Sequence, residues 1–319
     1  MRATAVRYSL KRLKNDCVYA AAVGLLCGHR LLPRRLGLML FETIGAIAFC
    51  FPNRERKLTI EHLRMVFGER WTDKQVMRCA RKVYADLGKN AFDALYFARL
   101  NSAGLARHID CDDVTSFRGA FEKGKGVMAI TAHCGCFEML LHYFAGQGFP
   151  CFAIGSRLYD HRLDALVARL RSGPNSMYLH RSNNLRDMIR LLKEGRVMGA
   201  LIDQDTKVDG VFAHFMGRLA YTPWGAVKLA RHYDIPVFVV TTARVTGEKH
   251  RIFVSKEIDL RPTGNETEDC VKAIETINGH ISTTIERFPS QWVWMHRRWN
   301  RRPEDEGNKE IPSIERYNS

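Results

Sequence analysis

Past residue 105, short apolar runs alternate with segments whose apolar residues recur every three or four positions. The runs GVMAITA (126–132), PCFAIGS (150–156), VMGALID (197–203) and IPVFVVTTA (235–243) have the length and β-branched content of buried strands. Between them FEMLLHYFAGQG, RLDALVARLRSG, LRDMIRLLKEG and TPWGAVKLARHY carry the helical spacing. Strands separated by helices imply parallel pairing through crossovers. The expected fold class is therefore α/β, with a mostly parallel central sheet flanked by helices. RIFVSKEIDL (251–260) reads as a further, antiparallel strand, and EDCVKAIETINGHISTTIERF as a late helix.

Upstream the pattern is helical throughout. RERKLTIEHLRMVFG and DKQVMRCARKVYADLGKNAFDALYFARL keep three- and four-residue spacing, with Gly68 as a stop and Thr72 or Asp73 as a cap. Ahead of them a basic leader precedes two apolar runs, 17–27 and 36–51, parted by Pro33, Arg34 and Arg35. The first falls short of the roughly 20 residues that cross a bilayer core, and the second carries Glu42. The pair fits an N-terminal helical segment that associates with a membrane, by insertion or along the interface; two buried helices of a globular core are the alternative. The expected division is an anchor over residues 1–51 and an α/β domain over 52–319, with 52–105 as a helical lead-in.

Charge narrows the partners. Across 319 residues, 49 Lys and Arg against 34 Asp and Glu give a formal net charge of +15, which favours anionic partners such as a phosphorylated substrate, an acidic carrier protein or an anionic bilayer. The nine cysteines are scattered, odd in number and without the spacing of a secreted disulfide framework. A reducing, cytosol-facing environment follows.

The stretch TAHCGCFE (131–138) lies where the first strand gives way to a helix, the end at which α/β sheets bind ligands. In one continuous helix His133 and Glu138 would diverge by roughly 140°. With His133 in the loop, Glu138 in the first turn and Gly135 permitting the bend, the carboxylate can fold back onto the imidazole and make it a general base. Helix capping by the same two residues is a competing reading. Zinc on His133, Cys134 and Cys136 is another, against which stand the tight spacing and the lack of a second cluster to complete four ligands. Cys134 and Cys136 are either small packing residues or thiols able to take an acyl group.

Four stretches in order, ITAHCGCFE, AIGSR ending at Arg157, LIDQD followed by GVFAHFMGRLAYTPWGAVKLA, and PSQWVWMHRRWNRRP, together with the apolar N-terminus, make the chain resemble the bacterial late acyltransferases of lipid A assembly, the lauroyl and myristoyl transferases within the lysophospholipid acyltransferase superfamily. The resemblance implies transfer of a fatty acyl chain from a thioester, on acyl carrier protein or coenzyme A, to a hydroxyl of a lipid A precursor at the cytoplasmic face of the inner membrane. It implies a His133–Glu138 dyad as catalytic machinery, and Arg157, Asp203, Gln204 and Asp205 as substrate-binding positions. No metal or other cofactor is called for. Other lipid acceptors, among them a lysophospholipid, a phosphatidylinositol mannoside or an aminoacyl lipid, remain open, as does a membrane-anchored lipid-binding protein without turnover.

The tail WVWMHRRWNRR mixes Trp292, Trp294 and Trp299 with four arginines. Beside an apolar N-terminus it reads as an interfacial belt against phosphate headgroups, ahead of closure of the core or a nucleic-acid stacking platform. The expected partners are thus a thioester donor, a phosphorylated glycolipid or phospholipid acceptor and an anionic membrane surface, and not nucleic acid.

Overall fold

A computed structural model of the chain describes residues 2–180, 185–246 and 248–303, with side chains from residue 15 onward. The helices α1 (Arg2–Gly28), α2 (Arg34–Ala48), α3 (Arg54–Phe67), α4 (Asp73–Phe97) and α5 (Ser102–Ala106) precede the sheet. Among the described residues nine strands follow: β1 (Ile109–Cys111), β2 (Val127–Thr131), β3 (Cys151–Gly155), β4 (Ser176–His180), β5 (Val197–Leu201), β6 (Gly210–Phe215), β7 (Arg218–Pro223), β8 (Val237–Arg244) and β9 (His250–Val254). Between and after them lie α6 (Thr115–Glu122), α7 (Met139–Gly146), α8 (His161–Arg171), α9 (Leu185–Lys193), α10 (Gly225–His232) and α11 (Glu266–Arg287).

Seven strands form one sheet in the order β1-β9-β8-β2-β5-β3-β4, parallel at every junction except β8 with β9. The four strands expected from apolar runs are β2, β3, β5 and β8, and the antiparallel strand is β9. β1, β4 and the antiparallel hairpin of β6 and β7 were not foreseen. Strand alternation divides the core. Met128, Ile130 and Ala132 of β2 and its extension share a buried cluster with Ile274, Ile277, Ile281 and Ile285 of α11. Val127 and Phe238 share another with Phe117, Phe144 and Phe149. Each buried Met, Ile, Val or Phe among them contributes about 1.5–3 kcal/mol of transfer free energy.

Caps mark the helix starts. Thr72 and Gln75 form a capping box at α4, and the Asn53 side chain accepts from the Arg56 amide at α3. α2 lies directly on α4, close enough that a Cβ on Gly45 would run into the Tyr84 carbonyl oxygen. A buried ionic network fixes this contact. Arg34 of α2 holds both oxygens of Asp93 on α4 at 2.8 and 2.9 Å, while Arg244 reaches Oδ2 at 2.6 Å and His250 Nε2–H donates to it at 2.8 Å.

One expectation narrows here and another changes. Among the described residues no helix is long and apolar enough to cross a membrane. The 36–51 run is split lengthwise: Leu38 and Phe41 face α4, whereas Leu36, Met39, Leu40, Ile44 and Ile47 are exposed. The expectation that changes is the tail, which is not an interfacial aromatic belt. Trp292 and Trp294 are wholly buried, and so is Arg298, which donates to the Tyr221 carbonyl and, at 2.6 Å, to Thr222 Oγ1 on the β6–β7 hairpin. These residues close the core over the sheet's carboxyl edge.

Candidate active site

β2 and β5 are adjacent and parallel, in a register that ends with Thr131 opposite Leu201. Two residues beyond the end of each strand stand His133 and Asp203, brought side by side although seventy positions separate them. Asp203 is fully buried. It accepts from the His133 amide, from His133 Nδ1–H and from the Trp292 indole N–H, each at 2.8 Å. Burial would push this carboxyl up, but the imidazole and the three donors hold it below the ordinary carboxylate range. Because Asp203 accepts at Nδ1, the neutral ring carries its proton there and leaves the Nε2 lone pair unprotonated. Burial works against the charged imidazole; the Asp203 charge and hydrogen bond, aided by the charge of Glu138, outweigh it and raise the His133 pKa.

The loop between them is set by Gly135, at φ +56°, where a Cβ would sit 2.5 Å from the Thr242 carbonyl oxygen. Its amide donates to the Gln291 carbonyl at 2.8 Å, and Cys134 bridges the strand-like backbone at Trp292. The tail thus supports the histidine loop from beneath. Cys134 and Cys136 are buried, and burial pushes the Cys134 thiol to about 12 and that of Cys136 well above its usual value. Both pack in the core clusters.

Glu138 stands at the α7 N-cap, close enough for its charge to act on the imidazole. The contact expected between this carboxylate and the imidazole is made by Asp203 instead. Glu138 is taken by Arg171 of α8 in a two-pronged ion pair of 2.8 and 2.5 Å. The physical reason is register: the strand end places Asp203 beside Nδ1, while the helix start turns Glu138 toward α8.

The other expected positions separate. Gln204 lines the cavity described below. Asp205 turns away into an ion pair with Arg301, 2.6 Å, whose guanidinium stacks on Tyr221. Arg157 is exposed in the loop after β3, between Ser156 and Leu158, which both line the cavity. Missed from sequence were Arg171, the role of Trp292 in holding Asp203, and Thr131, whose hydroxyl is buried without a partner among the described residues. Alternation along β2, with Ala129, Thr131 and His133 all lining the cavity, was the available signal for Thr131.

His133 and Glu138 open on a cavity of about 900 Å³ that runs across β2, β5 and β3 toward α9 and α10. Its floor is made of small side chains in register, Ala129 opposite Gly199 and Gly199 opposite Ala153. Leu140, Phe144, Val197 and Met188 add apolar wall. A mostly buried imidazole that keeps 24% of its surface exposed and is held by a fully buried carboxylate, at the rim of an apolar slot, suits removal of a proton from a polar group attached to a hydrocarbon chain.

Residues 9–301 match the family model described as bacterial lipid A biosynthesis acyltransferase. The chain belongs to this family. Similar proteins include the lipid A biosynthesis palmitoleoyltransferase of Escherichia coli K12 and a lipid A biosynthesis acyltransferase of Shigella flexneri. Each is 25% identical over 280 residues, covering 87% of this chain and 89% of the relative. A lipid A biosynthesis acyltransferase of Haemophilus influenzae is 22% identical over 232 residues, 70% of each chain. Membership of this family makes the protein an acyltransferase.

Proposed function

We propose that the protein transfers a fatty acyl chain from a thioester, on acyl carrier protein or coenzyme A, to a hydroxyl of a lipid A precursor, with His133 as general base. The observation that carries this reading is the His133–Asp203 pair at the rim of the apolar cavity. His133 Nε2 takes the proton as the acceptor oxygen attacks the thioester carbonyl, Asp203 stabilises the imidazolium that forms, and the thiolate leaves as the tetrahedral intermediate collapses, with the cavity holding the chain. General-base assistance of this kind supplies about 10²- to 10⁴-fold. Glu138 adds negative charge near the ring rather than a hydrogen bond to it. Arg157, on the exposed loop beside the cavity, and Gln204, in its wall, are assigned to substrate binding; Asp205 shapes the same loop through Arg301.

The reading extends to location. The exposed row of Leu36, Met39, Leu40, Ile44 and Ile47, flanked by Arg30 and Arg35, suits an in-plane seat on the anionic cytoplasmic leaflet, with α2 held to the body by Asp93. Purified protein incubated with acyl carrier protein and coenzyme A thioesters and a panel of lipid acceptors, with products identified by mass spectrometry, tests the whole reading. Acylation of the lipid A precursor is expected. Acylation confined to a glycerophospholipid, or none on any acceptor, would end it.

A further inference from the structure

Arg171 and Glu138 form an ion pair inside the wall of the reaction cavity, beside His133, and their charges act on the imidazole in opposite directions. The pair's two side chains keep 28% and 30% of their surface exposed, so a solute entering the cavity can reach both. The helix that carries Arg171 is held by polar contacts rather than by a core: α8 has no buried residue, none of its apolar side chains joins a core cluster, and Arg162 pairs with Asp16 and Asp164 with His180. Arg171 also lies over the Tyr178 ring, 4.9 Å from its centre, a flat surface across which a guanidinium can pivot without losing its contact. Of the described residues lining the cavity, Lys228 is the other Lys or Arg, and it sits on the Trp224 ring within 4.0 Å of Glu266. A phosphate drawn in beside His133 therefore meets Arg171.

We infer that Arg171 is a substrate-positioning residue that exchanges Glu138 for a substrate phosphate, so that binding of the anion uncovers the Glu138 carboxylate next to His133. The inference rests on the acyl-transfer reading above and adds to it a receptor and a switch. A guanidinium fork fits a phosphate as well as it fits a carboxylate, and the dianion is the stronger acceptor. Once Arg171 has turned, Glu138 is no longer offset and favours the positive ring that forms when His133 takes the proton. The charged and titratable groups that act on His133 are Asp203 after β5, Glu138 at α7, Arg171 of α8 and His296 of the tail. Of these, Arg171 can be drawn away by an incoming anion.

The exchange makes opposite demands on its two partners, and a fixed strut does not. Glu138→Gln removes the competitor for Arg171, so KM for the phosphate-bearing substrate should fall several-fold while kcat drops. Arg171→Gln should raise that KM tenfold or more, with Arg171→Lys between, and should move the acid limb of kcat/KM to higher pH. Initial rates are measured with the phosphorylated glycolipid acceptor, the same lipid after phosphatase treatment, and two donors, the acyl carrier protein thioester and an acyl-pantetheine lacking the phosphate. Loss of the Arg171→Gln effect on the dephosphorylated acceptor assigns the phosphate to the acceptor; loss on the pantetheine donor assigns it to the carrier arm. The exchange is overturned if Glu138→Gln raises KM, or if Arg171→Gln leaves KM equal to wild type for every substrate pair. Wild-type turnover in the same assays keeps this outcome distinct from failure of the acyl-transfer reading, in which no acceptor is acylated by any form.

Discussion

Replacing Asp203 with asparagine probes the tautomer of His133 at nearly constant volume. Oδ2 of Asp203 receives two N–H donors, the His133 amide and the Trp292 indole, so the carboxamide oxygen of the introduced asparagine must stay on that side. Its NH₂ group then faces His133 Nδ1, 2.8 Å from the position of Oδ1, and can only donate. The ring must accept at Nδ1 and carry its proton on Nε2, the atom that should receive the proton from the acceptor. General-base assistance is lost, about 10²- to 10⁴-fold in kcat/KM, or about 2.7–5.5 kcal/mol in transition-state stabilisation. The pH profile moves too. Burial lowers the His133 pKa and Asp203 raises it, with a net rise. In wild type kcat/KM therefore climbs through a limb above 6.5; without the carboxylate only the burial effect and smaller charges remain, and the limb shifts to lower pH. Initial rates from pH 5 to 9, with a thermal melt to show that the variant is folded, provide the assay. Activity within threefold of wild type and an unshifted limb would refute the reasoning.

Further expectations follow from other contacts. Gly135→Ala places a Cβ against the Thr242 carbonyl at a positive φ and should cost about 1–3 kcal/mol or more, read as a fall in Tm. Burial depresses His250 to about 4, so the unfolded imidazole takes up a proton that the folded one refuses; stability should fall as pH drops from 6.5 toward 4, and His250→Gln should flatten that slope in urea titrations. A maleimide at neutral pH should label the exposed Cys17, Cys27 and Cys50 on the native protein and spare Cys134 and Cys136, and Cys134→Ser should keep turnover; labelling at Cys136 followed by loss of activity would contradict the packing role. The double change Leu40→Glu and Ile44→Glu should weaken binding to anionic vesicles by tenfold or more, while high salt should release the wild type only in part, as judged by flotation.

Much of the sheet could be read from periodicity because β2, β3, β5 and β8 are covered on both faces and show as unbroken apolar runs. β4, with the sequence SMYLH, is an edge strand of mixed character and left no such run. The β6–β7 hairpin did leave a sign, alternation of Val211, Ala213 and Phe215 before a Met216–Gly217 turn at positive φ, but it lay within a stretch read as a family motif. The histidine loop was legible because Gly135, a strand end and a helix start are all local. Asp203 as its partner was not, since local sequence does not say that β5 inserts between β2 and β3 and so aligns the two strand ends. The tail misled for a related reason: tryptophan and arginine look alike at a membrane and in a core, and only the buried acceptors Tyr221 and Thr222 decide for the core.

The state of the His133 ring during titration bears most directly on the central claim. With ring nitrogens labelled with ¹⁵N, NMR across pH 5 to 9 should show Nδ1 protonated throughout and Nε2 titrating above 6.5, at the same pH as the limb of kcat/KM. A neutral ring protonated at Nε2, or a titration below 6.5, would contradict a base held by Asp203.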